Sequence, residues 1–397
     1  MEKRNEVSLE DFPPDIQSSI KEIVKNEGYI KYDVSVNNIS TNGNNFLGEL
    51  YELNITGETV NGDKEINIFL KQIINNDDFK IYSIREVYAK EAFFYNELAE
   101  IFNDIQINAN IPIEERLKIV HSYKETSTTT IILENLVKKG YKPGNRFDLL
   151  TLDFAEMSLK ELAKFHALSF VLEKKKPEYF DNNIRTIKQS FVYDEYWDDL
   201  VKRMCEISIS NLSEDKKSSV RKFIPTSLRK YPLYMTGATA SIRCLCHGDF
   251  KTNNIMRKDE NGKLTEVIPI DYQQIYYGNP IIDLIYFIYA ASDRPFRKEN
   301  LHHLKNLYYE EFTKFLNYFH IEVESVFPRE SFEESFKESL DYALMFSLFM
   351  YPFLFASGDE APSGNDDLSD VVIRVDDRLH ERMEGVVDDF IELGVLV

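Results

Sequence analysis

His247-Gly248-Asp249-Phe250-Lys251-Thr252-Asn253-Asn254, followed further on by Ile270-Asp271-Tyr272-Gln273, is the stretch on which the reading of this chain turns. Ile255 to Arg257 reads as a short strand, Asn261-Gly262 as its turn, and Val267 to Ile270 as the returning strand. In an antiparallel hairpin, the residue before the first strand and the residue after the second lie at the same end. Those residues are Asn254 and Asp271, and Asp249 sits in the loop just upstream. Three oxygen-bearing side chains are therefore expected to converge at one mouth.

Each of the three has a plainer explanation alone: Asp249 and Asn254 as turn formers, Asp271 as a strand terminator. Their combination matches the spacing of an H-x-D…N catalytic loop followed by a metal-binding acid, the arrangement used in phosphoryl transfer. Oxygen donors of this kind suit Mg²⁺ held together with substrate phosphates. Asp249 is placed to orient a hydroxyl and take its proton.

Outward from this stretch the chain reads mostly helical, with helices over 153–172, 193–208, 300–318, 332–355 and 376–393. Upstream of residue 134 the character is mixed. Pro14 to Asn26 is a predicted helix with Ile16, Ile20, Ile23 and Val24 on one face. Short strands follow, Asn61-Gly62 signals a hairpin, and the next strand alternates Ile66, Ile68 and Leu70 against Phe69 and Lys71. A long helix runs from Ile84 to Phe102. Glu91 interrupts its apolar stripe, and a carboxylate there needs a cationic partner. The division is an N-terminal part over 1–133, a boundary at 134–136, and a C-terminal part over 137–397. Ser357 to Asp370 reads as a polar loop.

Composition narrows the function classes. The chain has 397 residues, 43% hydrophobic and 29% charged, with a net charge of -20. That charge argues against binding nucleic acid through phosphate neutralisation. Cys205, Cys244 and Cys246 are too few for a disulfide scaffold and fit a reducing compartment. Cys244-Leu245-Cys246 lacks the second pair that a zinc site needs and reads as strand. The longest apolar run, Tyr342 to Ala356, falls short of the ~20 residues that span a bilayer. A cytoplasmic protein without membrane insertion is expected, its oligomeric state left open.

The block Cys246 to Asp283 resembles the catalytic core of the aminoglycoside phosphotransferase and choline kinase group. In detail it is similar to the ecdysteroid kinase-like family, also called CHK kinase-like. The residues are Leu245-Cys246-His247-Gly248-Asp249, Thr252-Asn253-Asn254-Ile255-Met256, Asp271-Tyr272-Gln273, and Tyr277-Gly278-Asn279-Pro280 with Asp283-Leu284. Glu134-Asn135-Leu136 with Gly140-Tyr141, Leu162 to Ala167, and Glu91 with Phe94-Tyr95 extend the likeness over roughly residues 40 to 355.

The resemblance implies an α+β, two-lobed protein-kinase-like fold with 134–136 as the hinge. It implies an ATP- and Mg²⁺-dependent kinase for a small hydroxylated substrate, an ecdysteroid or a related metabolite or xenobiotic. Lys71 would hold the α- and β-phosphates and pair with Glu91. Asn254 and Asp271 would bind Mg²⁺, and Asp249 would be the catalytic base. Glu134 and Leu136 would offer backbone groups to adenine. Gly43, Asn45 and Phe46 lie where a glycine-rich loop covers phosphate, although Gly43 to Gly48 is not G-x-G-x-x-G. His247, His166 and Asp283 read as scaffold. The aromatic residues Tyr286 to Tyr289 and Tyr342 to Phe355 read either as core or as a substrate pocket. Alternatives are a choline/ethanolamine- or aminoglycoside-type kinase, and a non-catalytic nucleotide- or steroid-binding pseudokinase.

Overall fold

A computed structural model describes residues 8–39, 48–73, 83–238, 240–357 and 373–397. Gly43, Asn45 and Phe46, and the 357–370 loop beyond Ser357, lie outside the described residues.

The N-terminal part is a helix α1 (Pro14–Asn26) on a four-stranded antiparallel sheet: β1 (Tyr29–Asn38), β2 (Gly48–Thr59), β3 (Gly62–Ile73) and β4 (Thr130–Glu134). Proline at the first turn starts α1, because its missing N–H has no intrahelical partner there anyway. Ile16, Ile20, Ile23 and Val24 are buried as the periodicity predicts, and they meet Leu53, Ile55, Ile68 and Leu70 in a small separate core. Strand alternation then dictates the other face. With Ile68 and Leu70 turned toward α1, Phe69 packs against the main core of the molecule. Lys71, paired in register with Leu50 and Ile131, faces the same way.

Between β3 and β4 lie α2 (Ile84–Phe93) and α3 (Ala99–Asn108), joined by a π-helical turn at Phe94–Leu98. The single predicted helix is thus longer than expected and interrupted. Phe94, Tyr95 and Leu98 are all buried, and the widened turn accommodates them. Phe94 stacks on Tyr272 with ring centroids 3.5 Å apart, and Phe165 lies 6.1 Å away. The helix carrying Glu91 is therefore part of the main core rather than of the small one beneath α1.

The C-terminal part is mostly helical: α4 (Leu152–Lys175), α5 (Pro177–Asn183), α6 (Glu195–Ile209), α7 (Glu214–Met235), α8 (Pro280–Ala291), α9 (Arg294–Asn317), α10 (Arg329–Ser339), α11 (Asp341–Leu354) and α12 (Arg378–Glu392). Two small sheets are embedded in it. One has the strand order β5-β7-β8, from β5 (Tyr141–Pro143), β7 (Ile255–Glu260) and β8 (Lys263–Pro269). The other pairs β6 (Cys244–Cys246) with β9 (Tyr276–Gly278). The Asn261-Gly262 turn has φ of 53° and 77°, the doubly left-handed form that matches strand twist.

Two expectations are corrected. The predicted helix 332–355 is two helices, α10 and α11, broken at Leu340. Helix α7 was missed because Pro225 and Pro232 fall inside it, and each removes an internal hydrogen bond. The aromatic residues of 286–289 and 342–355 are mainly core, with Phe287, Tyr289, Tyr342 and Phe346 at most 2% exposed. Among the described residues no helix is long and apolar enough to cross a membrane, and the cysteines are free and buried.

The Phe94–Tyr272 stack ties the Glu91 helix to the Asp271 turn. Replacing Phe94 with Ala is expected to lower unfolding stability by about 3–5 kcal/mol, measured by urea denaturation. A loss below about 1 kcal/mol would show that the two segments are held by something else.

Candidate active site

The hairpin β7–β8 closes with the Ile270 N–H donating to the Asn254 carbonyl at 2.9 Å. That one bond puts Asn254 and Asp271 at the same end of the ladder. Asp271 then takes a left-handed conformation, φ 66° and ψ 56°. A β-carbon disfavours this region, so surrounding contacts have to hold the residue there. Those contacts are ionic. Lys71 Nζ donates to Asp271 Oδ1, Glu91 Oε2 and Gln273 Oε1, each at 2.8 Å. Gln273 Nε2 donates back to Asp271 Oδ2 at 3.1 Å. Strand β3, helix α2 and the turn after β8 therefore meet at one ammonium group that is nearly sealed from solvent.

The charges at this junction are unequal. Burial alone would lower the Lys71 pKa, but Asp271 and then Glu91 raise it well above the usual lysine range. Glu91 is pushed up to about 7, chiefly by burial, with Lys71 opposing and Asp271 adding to the rise. Burial disfavours the charged carboxylate, and the one ammonium that could offset this is shared with Asp271. Such an excess of oxygen-borne negative charge suits a divalent cation at Asp271, and the Asn254 amide oxygen belongs to the same class of donor.

Asp249 is placed next to Asn254, whose Nδ2 donates to the Asp249 carbonyl at 3.0 Å and to Oδ2 at 2.9 Å. Lys251 Nζ lies 2.9 Å from the same Oδ2. Tyr286 Oη donates to Oδ1 at 2.5 Å. Burial, with the Asp249 charge beside it, raises the Tyr286 phenol well above its usual range, so it is a donor here.

Behind the loop stands Asp283 in the first turn of α8. Its carboxylate accepts from the backbone N–H of His247 at 2.5 Å and of Gly248 at 2.9 Å. It also lies 3.1 Å from His166 Nε2, while Tyr308 occupies His166 Nδ1 at 2.7 Å. Gly248 has φ +79°, and a Cβ there would sit 2.1 Å from the Gln274 carbonyl oxygen, so only glycine fits. His247 packs under the loop with Nε2 3.1 Å from the Ile270 carbonyl, and burial lowers its pKa. These residues are scaffold by position. His166, Cys244 and Cys246 bring ligand-type atoms within 4.8 Å of one another, but both His166 nitrogens are already engaged.

At the 134–136 segment, the Glu134 N–H is taken by the His121 carbonyl at 2.9 Å, and its carboxylate is paired with Lys139. Asn135 caps the short helical turn Leu136–Lys139. The Leu136 N–H, first in that turn, has no intrahelical acceptor.

The structure thus brings Lys71, Glu91, Asp271, Asn254 and Asp249 together, with Glu134 and Leu136 on the connecting segment. Sequence reasoning missed Lys251, Gln273 and Tyr286 as site residues. Gln273 and Lys251 stood inside the quoted motifs. Tyr286 stood in an aromatic run whose periodicity does not tell a donor from core packing.

The Ecdysteroid kinase-like family profile matches residues 42–321, more than half of the chain. The solved GDP and kanamycin complex of APH(2")-IIia aligns over 85% of this chain and 90% of its own, at 9% identity and TM-score 0.40. The GDP complex of wild-type aminoglycoside 2'-phosphotransferase-IIIa aligns over 83% of this chain and 98% of its own, at 11% identity and TM-score 0.36. No curated protein matches the chain in sequence.

The raised pKa of the buried Glu91 carboxyl has a consequence for stability. The unfolded chain carries the Glu91 carboxyl at its ordinary value of 4.5, against about 7 when folded. Between those values the folded protein binds a proton that the unfolded chain has released. The contribution of Glu91 to stability is therefore full below about 4.5 and is lost as pH rises through about 7. Unfolding free energies of the wild type and Glu91→Gln, measured from pH 4.5 to 8, are expected to show a difference that falls across this window and levels off above it. A difference that does not change with pH would contradict the raised Glu91 pKa.

Proposed function

We propose a specific reaction from this premise: the chain belongs to the ecdysteroid kinase-like family and is an ATP-dependent small-molecule phosphotransferase acting on a hydroxyl group. The acceptor we propose is an ecdysteroid or a related hydroxylated metabolite or xenobiotic, with a role in detoxification and a place in the cytoplasm. The observation that carries the reading is the contact of Lys71 with both Glu91 and Asp271, with Asn254 at the same hairpin end as Asp271 and hydrogen-bonded to Asp249.

In this proposal Lys71 leaves Asp271 and Gln273 for the α- and β-phosphates and keeps Glu91 as its partner. That exchange replaces two acceptors by phosphate oxygens without stranding a buried charge. Asn254 and Asp271 would hold Mg²⁺, which when bound neutralises phosphate charge and fixes the phosphate geometry. The Glu134 carbonyl and the Leu136 N–H would flank adenine at the 134–136 hinge. The reading includes Gly43, Asn45 and Phe46 as phosphate cover. Asp249 would orient the acceptor hydroxyl and receive its proton as the P–O bond forms. Lys251, ion-paired to Asp249, keeps positive charge beside the transferring group. The protein's work is positioning and charge neutralisation, with no covalent intermediate.

The test is a panel of ecdysteroids, plant phenolics and choline incubated with labelled ATP. Transfer to a steroid or phenolic hydroxyl is expected. Asp249→Ala is expected to lose nearly all turnover with ATP affinity within about three-fold, as for a group acting in the transition state. Undiminished turnover in Asp249→Ala would remove the base assignment. Tight ATP binding without transfer to any acceptor would favour a binding protein instead.

A further inference from the structure

The two oxygens of Asp249 are committed to different kinds of partner. Oδ2 takes the Asn254 amide at 2.9 Å and the Lys251 ammonium at 2.9 Å. The Lys251 side chain is 19% exposed, and its long stem lets the ammonium move aside. Oδ1 takes the Tyr286 hydroxyl at 2.5 Å. Tyr286 is 4% exposed on α8, a helix buried along its whole length, and its ring lies 4.3 Å from that of Phe346. A phenol packed this way does not swing out at low cost.

The same helix grips the loop at a second point. Asp283, three residues earlier and so on the same face of α8, holds the backbone of His247 and Gly248. Asp283 fixes where the loop runs. Tyr286 fixes how the side chain at its tip is rotated.

We propose that Tyr286 is a positioning residue for phosphoryl transfer, its hydroxyl holding the Oδ1 edge of Asp249 so that Oδ2 is the edge that meets the acceptor. This rests on Asp249 being the base. The acceptor hydroxyl takes over the place of the Lys251 ammonium on Oδ2, and its proton passes to that oxygen as its own oxygen bonds to phosphorus. The bond from phosphorus to the bridging oxygen of ADP breaks at the same time. Without the Tyr286 hydrogen bond the carboxylate rotates about χ2 and presents Oδ2 for a smaller share of encounters. The loss falls on the chemical step and not on binding.

The experiment compares the full-length wild type, Tyr286→Phe and Phe346→Leu in steady-state kinetics with ATP and whichever hydroxyl acceptor the panel yields. Tyr286→Phe keeps the ring and removes only the hydroxyl. Its kcat is expected to fall at least about tenfold, as for loss of one hydrogen bond to a charged group. The KM values for ATP and acceptor are expected to stay within about threefold of wild type. Phe346→Leu loosens the packing around Tyr286 but keeps the hydroxyl, and its kcat is expected to stay within about threefold.

A Tyr286→Phe kcat within twofold of wild type overturns the inference alone. So does a change confined to the acceptor KM, which would make Tyr286 a binding contact. Equal kcat losses in the two variants overturn it as well, because packing and not the hydrogen bond would then be responsible. A wild type that phosphorylates no hydroxyl acceptor overturns the function, and this inference with it.

Discussion

One ammonium group, that of Lys71, joins the two halves of this molecule. It comes from the central β3 strand and ends between a helix carboxylate, Glu91, and a carboxylate from the far hairpin, Asp271. A buried lysine is costly without partners, and two buried or half-buried carboxylates near each other are costly without a cation. Each group is tolerable only because the others are there. The arrangement forces β3, α2 and the Asp271 turn into a single relative placement, and it leaves one carboxylate more than the ammonium neutralises.

Packing holds that placement from behind. Phe94 on the Glu91 helix stacks against Tyr272, the residue between Asp271 and Gln273, and Tyr272 also sits 4.8 Å from His247. Helix α8 closes the other side through Asp283 and Tyr286. Asp249, Asn254 and Asp271 lie on turns, while Lys71, Asp283 and Tyr286, which hold them, lie on a strand and a helix in the core. This is how a short loop keeps Asp249 and Asn254 in register without regular structure of its own.

Much of this was legible in the amino-acid sequence, for physical reasons. Strand alternation put Lys71 opposite the Ile68–Leu70 face, and the Asn261-Gly262 turn set Asn254 and Asp271 at one end of a ladder. Glu91 in an apolar stripe announced a missing cation. What the sequence did not reveal depends on three-dimensional packing. Pro225 and Pro232 hid α7, because local propensity argues against a helix that burial sustains. The π turn at Phe94–Leu98 has no sequence signature of its own. Tyr286 looked like every other aromatic residue in a buried helix, since only the position of Asp249 across a gap of 37 residues turns its hydroxyl into a partner.

The most direct test of the central claim is calorimetric titration of MgATP into Lys71→Met, in protein first shown to be folded at the measuring temperature. If Lys71 is the phosphate-binding cation, affinity falls at least about tenfold, the scale of one lost charge-assisted contact, while the folded state survives. Nucleotide affinity equal to that of the wild type would mean that the three-way contact holds the lobes together and has nothing to do with phosphate.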